Sequence, residues 1–238
     1  MNIEAIIFDK DGTLIDFDAF WVAVSAKALQ DVLKTLHRED ISVEEILSAL
    51  GVRDGITDID GVLCKGTYKQ IGEIVHKILK EKNFDLPCAE IEKLVIDAYN
   101  RYVGAGEIKP TCPDLKEVLT WLKQRNIKLA VITTDNDFIT LQCLKKLGVE
   151  ELFDKIYTDD GNTPTKPNPY CALDFCKICD VNKERVLMVG DTLTDMNFAK
   201  NAGITAIGLA KSNRNKEMLA PFADIVLSRI SDLPMLLK

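Results

Sequence analysis

Apolar and polar positions follow two different rhythms along this chain. From Phe17 to Val103 the period is helical. Phe20, Val24, Leu29, Val32, Leu33 and Leu36 recur at spacings that line one face of a helix ending near His37. Ser42-Val-Glu-Glu45 has the form of a capping box opening a short helix to Leu50. Thr67–Lys82, striped by Ile71, Ile74, Val75, Ile78 and Leu79, and Cys88–Val103 predict two more helices. The segment Gly51–Gly61, rich in Gly and Asp, reads as a loop, and the block as a whole shows no convincing strand.

After Gly104 short apolar runs alternate with helical stretches. A helix over Pro113–Arg125 precedes the strand Ile127–Thr133, and the next helix closes on Gly148. A short strand near Ile156, a loop rich in Pro and Asp, and a helix from Pro169 to Cys179 follow. Then come the strand Arg185–Gly190, a helix closed by Gly203, and strands over Ile204–Leu209 and Asp224–Leu227. This alternation predicts an α/β fold, a doubly wound parallel sheet with helices on both faces. Its first strand, beginning at Ile3, is cut off from the rest by the helical block. Residues 1–15 and 104–238 are therefore expected to form the core, with 16–103 as an all-helical insert. An insert leaving the first strand at its carboxyl end is expected to project over that end, where a lid belongs.

Composition narrows the function. A hydrophobic share of 47% and a charged share of 28% are those of an ordinary globular protein. The net charge of −7 argues against nucleic acid or an anionic membrane as partner. It leaves room for a small anion, because a local cation can invert the potential of one cleft. The start, Met-Asn-Ile-Glu-Ala, lacks a basic signal-peptide region, and no run is long enough to cross a bilayer. The seven cysteines are odd in number and scattered, which fits reduced thiols in a cytoplasmic protein. Cys176-Lys-Ile-Cys179 has neither a second pair nor a nearby His and reads as chance, and His37 and His76 read as surface residues. Whether the chain is a monomer or a dimer is not legible.

The candidate chemistry lies at the strand ends. Ile-Ile-Phe8 runs into Asp9-Lys10-Asp11-Gly12, two carboxylates where ligands sit in open α/β sheets. Such a pair either makes an Asx-type turn or shares a cation, and a hard ion such as Mg²⁺ suits carboxylate oxygens. Gly12 permits a tight turn and close approach to its amides. Thr133-Thr134-Asp135-Asn136 offers hydroxyls and amides at a helix start, for an anion or simply for capping. Lys166, between loop residues and Pro167, is placed to neutralise a phosphoryl oxygen or to lie solvated. Gly190-Asp191-Thr-Leu-Thr-Asp195 again puts acids at a strand end, as ligands or as helix caps at Asp191 or Thr194.

In this order, Asp9-Lys-Asp-Gly-Thr13, Thr133, Lys166 and Gly190-Asp191-Thr-Leu-Thr-Asp195 resemble the four motifs of the haloacid dehalogenase superfamily. The resemblance spans nearly all of what would be its Rossmann-like core. The helical block is similar to the cap of the phosphoglycolate-phosphatase and β-phosphoglucomutase branch. It implies that Asp9 attacks phosphorus to form an aspartyl-phosphate and that Asp11 protonates the leaving oxygen, then activates water. It further implies Mg²⁺ held by Asp9, the Asp11 main-chain carbonyl and Asp191. Lys166 and Thr133 would bind the transferring phosphoryl group with Gly12, Thr13 and Thr134, and Asp195 would orient Lys166 or a metal-bound water. Two positions depart from the pattern. Lys10 stands where relatives often carry an apolar residue, and either raises the local potential or points aside. Thr134 stands where many have Asn. Asp11 favours phosphate over halide, since dehalogenases proper lack that acid.

The activity expected is thus a Mg²⁺-dependent phosphatase for a small phosphorylated metabolite, phosphoglycolate-like or a sugar phosphate. A phosphomutase using the same intermediate is the alternative, and a binding module without catalysis a remote one. In the insert, Arg53 of Val52-Arg-Asp-Gly55 is the candidate for substrate contact, with pairing to Asp54, Asp58 or Asp60 as its other reading.

Overall fold

A computed structural model describes residues 2–58, 60–105 and 107–237. The chain forms two compact units, Met1–Asp16 with Ile108–Lys238 and Phe17–Glu107. In chain order the first unit opens with β1 (Ala5–Phe8). The second contains α1 (Ala23–Thr35), α2 (Val43–Ala49), β2 (Val52–Arg53), β3 (Ile56–Thr57), α3 (Val62–Lys65), α4 (Tyr68–Glu81) and α5 (Cys88–Tyr102). The first unit resumes with α6 (Leu115–Lys123), β4 (Lys128–Ile132), α7 (Asp137–Leu147), β5 (Lys155–Tyr157) and α8 (Tyr170–Cys179). It ends with β6 (Val186–Gly190), α9 (Leu193–Ala202), β7 (Thr205–Leu209), α10 (Asn213–Leu219), β8 (Ile225–Leu227) and α11 (Leu233–Leu236).

The helical unit buries the stripes that its sequence displays. Ile71, Val75, Ile78 and Leu79 of α4 are buried, as are Ile91, Val95 and Tyr99 of α5. Thr67 caps α4 in a reciprocal box with Gln70. Two details differ from the periodic reading. The helix read from Phe17 opens as a wider π-type turn over Asp18–Val22 before α1 begins. The segment read as plain loop holds an antiparallel pair, Val52 opposite Thr57 and Arg53 opposite Ile56. Its turn is Asp54-Gly55, both at positive φ (53° and 75°), the backbone that a two-residue hairpin demands. Asp18 binds the hairpin through both the amide (2.9 Å) and hydroxyl (2.6 Å) of Thr57. With only two residues per strand, no period-2 pattern could announce it.

In the first unit six parallel strands lie in the order β5-β4-β1-β6-β7-β8. β1 is central and fully buried, so it reads as a continuous apolar run rather than an alternation. Ala5 and Ile7 join a cluster with Phe175, Met188 and Phe198, while Phe8 meets Phe153 edge-on with ring centroids 6.3 Å apart. α7 and α9 end on Gly148 and Gly203 in the left-handed conformation, as their sequence predicts. The chain runs outward from β4 to β5 on one side and from β6 to β8 on the other. The carboxyl ends of the neighbouring strands β1 and β6 thus lie at the switch point where α/β sheets bind ligands. Ile7→Ala, which leaves a void in this core, is expected to cost about 2–5 kcal/mol. Chemical denaturation of the first unit, followed by its loss of strand signal, checks this.

Candidate active site

Strand register assembles the site. Phe8 pairs with Val131 on one side and Val189 on the other, so β1, β4 and β6 end level with one another. The residues just past those ends are Asp9 and Asp11, Thr133 and Asp135, and Asp191. The Asp9 amide donates to the Val189 carbonyl at 2.9 Å, which carries the pairing one residue beyond the strand.

The loop after β1 turns at once. The amides of Leu14 and Ile15 donate back to the Lys10 carbonyl at 2.8 and 3.0 Å, and Gly12 lies at φ +78°. A methyl group on Gly12 would overlap the Asp191 carboxylate, so glycine answers both to the turn and to the close approach of β6's tip. Thr13 is buried, and its hydroxyl donates to Asp191 Oδ1 at 3.2 Å. Thr111 ties the same loop down through its hydroxyl to the Thr13 carbonyl.

Lys166 reaches in from the loop before α8 and is almost fully buried. Its Nζ lies 2.5 Å from Asp9 Oδ1 and 2.7 Å from Asp195 Oδ1. Its loop is held by Asn201, whose amide donates to the Pro167 carbonyl at 2.9 Å. Asp195 has a second duty as part of the cap of α9. Thr192 takes the cap position, rather than Asp191 or Thr194. Asp195 Oδ2 accepts from the Thr192 amide (3.1 Å) and hydroxyl (2.6 Å). Gly190 leaves room for this, because a methyl there would collide with Asp195.

Carboxylate oxygens of Asp9, Asp191 and Asp195 lie within 4.8 Å of one another. Like charges so close, in so little water, disfavour ionisation. Burial raises Asp9 to about 7, with Lys166 opposing and Asp195 adding to the rise. Asp191 is pushed up by burial and then by Asp9 and Asp195, against the Thr13 hydrogen bond. Burial works against the charge of Lys166, but Asp195 and Asp9 outweigh it and hold the ammonium above its ordinary range. Three converging carboxylates with one ammonium among them form a donor set of the all-oxygen kind that suits a hard divalent cation. Both oxygens of Asp195 are already engaged, so Asp9 and Asp191 are the better placed to coordinate.

Lys10 neither lies solvated nor points aside. It turns inward, is fully buried, and its Nζ sits 2.6 Å from Asp11 Oδ2 and 2.9 Å from Asp135 Oδ2. Asp135, which the sequence offered only as a capping residue, thereby joins the cluster, while the cap of α7 is Asn136. Thr133 is buried and accepts the Asp135 amide at 3.1 Å through its hydroxyl, whereas Thr134 is exposed. Arg53 belongs to the helical unit, exposed on its hairpin. The seven cysteines are free, and burial raises the thiols of both Cys176 and Cys179 in α8, against a reactive pair. Among the described residues no helix is long and apolar enough to cross a membrane.

Comparison with known proteins agrees with this geometry. The model of the haloacid dehalogenase-like hydrolases matches residues 3–203. A phosphoglycolate phosphatase of Vibrio parahaemolyticus is 27% identical over 233 residues, covering 98% of this chain and 95% of the relative. A phosphoglycolate phosphatase of Neisseria meningitidis is 27% identical over 210 residues, covering 87% and 80% respectively. The crystal structure of a haloacid dehalogenase-superfamily hydrolase from Geobacter sulfurreducens superposes with a TM-score of 0.71 at 18% identity, covering 100% of this chain and 97% of that one, which speaks for the fold. With the match running from β1 through α9, and acids gathered around Lys166 at the carboxyl ends of central strands, this chain is an enzyme of the phosphatase kind in the haloacid dehalogenase-like hydrolase family.

Proposed function

We propose that the enzyme hydrolyses the phosphate monoester of a small metabolite through a phosphorylated Asp9, with Mg²⁺ as its cofactor. The observation that carries this is the Asp9 carboxylate in contact with the buried Lys166 ammonium, beside Asp191, at the carboxyl ends of β1 and β6. A carboxylate is repelled by a phosphate dianion, so it attacks phosphorus only where positive charge surrounds both. Lys166, fixed from behind by Asp195, supplies one such charge as a point donor to a phosphoryl oxygen. Asp9, Asp191 and the Asp11 main-chain carbonyl would hold Mg²⁺, which would supply further positive charge at the phosphoryl group.

Asp9 Oδ forms a bond to phosphorus while the bond to the leaving oxygen breaks, and Asp11 gives that oxygen its proton. Water then attacks phosphorus, the bond to Asp9 breaks, and Asp11 takes the water's proton. Thr133 and the amides around Gly12 and Thr13 suit the equatorial oxygens, and the exposed Thr134 stands at the margin. The relatives named phosphoglycolate phosphatase support a small phosphorylated acid as substrate. On the leaving-group side Arg53 is the candidate, by its charge and exposure. The net charge of −7 speaks against nucleic acid as substrate, and seven free thiols suit the reducing cytoplasm.

Asp9→Asn is expected to lower turnover of p-nitrophenyl phosphate and of 2-phosphoglycolate by about a thousandfold or more, since the nucleophile acts as a unit with its neighbours. Phosphate release is the measurement. Activity kept by that variant contradicts the mechanism, and wild-type turnover of a sugar phosphate into its isomer without phosphate release decides for a mutase.

Metal binding has a pH signature. Asp9 ordinarily titrates near 3.8 and in the fold near 7, so across that window the folded chain holds protons that the unfolded chain has lost. Without metal, stability therefore falls as pH rises through it. Binding a divalent cation displaces those protons, and at low pH they compete. Mg²⁺ is expected to raise the melting temperature more at pH 8 than at pH 5.5. An equal rise at both would count against Asp9 as a ligand.

A further inference from the structure

We propose that Lys10 is a positioning residue: its buried ammonium fixes the Asp11 carboxylate in the direction from which it serves the leaving oxygen, with Asp135 as the anchor behind it. This rests on the reading of Asp11 as the proton donor. Asp11 sits three residues past the end of β1 on a tight turn, its side chain 20% exposed. Left alone, such a carboxylate swings through several rotamers. Lys10, with no exposure at all, grips its Oδ2 at 2.6 Å. Holding one carboxylate oxygen sets the direction of the other.

The grip is only as firm as what stands behind it, and Asp135 is well fixed. Its Oδ2 takes the same ammonium at 2.9 Å, and its Oδ1 accepts the Asn136 amide at 2.9 Å. Its own amide donates to the Thr133 hydroxyl at 3.1 Å, and its carbonyl accepts the Asp159 amide at 2.8 Å. A line of direct contacts thus runs from the tip of β4 through Asp135 and Lys10 to Asp11. Without the ammonium, Asp11 and Asp135 would face each other as two like charges and repel. A buried ion pair is not in itself a source of stability. Its value here is orientation, and small misplacements of a proton donor are costly.

The donor matters in proportion to the leaving group. When the bond from phosphorus to the leaving oxygen breaks, the electron pair stays on that oxygen. An alkoxide then needs the Asp11 proton, whereas p-nitrophenolate carries the charge unaided. Destabilised or misfolded protein would lose both substrates equally. The measurement is kcat/KM, which covers only the steps up to loss of the leaving group, for 2-phosphoglycolate and for p-nitrophenyl phosphate with Mg²⁺.

Lys10→Met is expected to lose about 10–100-fold on the alkyl phosphate and no more than about threefold on the aryl phosphate. Lys10→Arg, which restores the charge, is expected to recover most of the loss. Asp135→Asn should show the same preference to a smaller degree, and it carries the test if Lys10→Met does not fold. Asp11→Asn is the reference and should show the largest preference. If Asp11→Asn discriminates between the substrates but Lys10→Met and Asp135→Asn lower both alike or neither, Lys10 has no positioning role. If Asp11→Asn itself does not discriminate, the assignment of Asp11 as proton donor fails, and the role of Lys10 falls with it.

Discussion

Crowding of like charge governs this site. Asp9, Asp11, Asp135, Asp191 and Asp195 gather where β1, β4 and β6 end, and two buried ammonium groups lie among them. Lys166 bridges Asp9 and Asp195, and Lys10 bridges Asp11 and Asp135. Asp191 accepts a hydrogen bond from a threonine hydroxyl, and it is pushed toward its neutral form. The arrangement is short of positive charge by design of its residues, which suits a site whose ligands are a divalent cation and an anion together. A fully compensated cluster would have no need of either.

What the backbone contributes is registration. Parallel pairing of β1 with both β4 and β6 brings three strand ends to one level, so residues more than a hundred positions apart in the chain meet without long side chains. Two glycines keep that meeting tight. Gly12 and Gly190 stand where a methyl group would strike Asp191 and Asp195, so the acids approach the backbone as closely as they do only because those positions lack a side chain. The lysines enter from different loops, Lys10 from the first and Lys166 from the one before α8. Each is long enough to bury its chain and still present its charge.

The sheet was legible because each of its long strands is a buried apolar run closed by a turn, and each helix end that carries Gly148 or Gly203 has a local cause. That Asp9 and Asp191 meet was legible because each directly follows a buried apolar strand, and the structure brings Lys166 to Asp9 from the loop before α8. The hairpin at Val52–Thr57 was not, since two residues per strand leave no period, although Asp54-Gly55 carried the turn signal. The cap of α9 falls on Thr192 rather than on Asp191 or Thr194, the two alternatives to a ligand role, although all three residue types cap well. Which one serves depends on where Asp195 must point. Lys10 was ambiguous for a deeper reason. A lysine between two acids turns in or out according to what waits inside, and the residue that waits, Asp135, lies on a different strand end.

The first loop thereby separates two carboxylates that its sequence makes look equivalent. Asp9 is buried against Lys166 and beside Asp191, where it has the surroundings of a nucleophile and ligand. Asp11, two residues on, is partly open to water and held from the side by Lys10. On the mechanism proposed above, environment rather than residue type divides the two roles, and a different lysine lies against each carboxylate. A family member with an apolar residue between its acids must orient the second carboxylate by some other contact. In this chain the loop carries its own means of doing so, and the motif-bearing ends of β1 and β4 become one electrostatic unit rather than two adjacent ones.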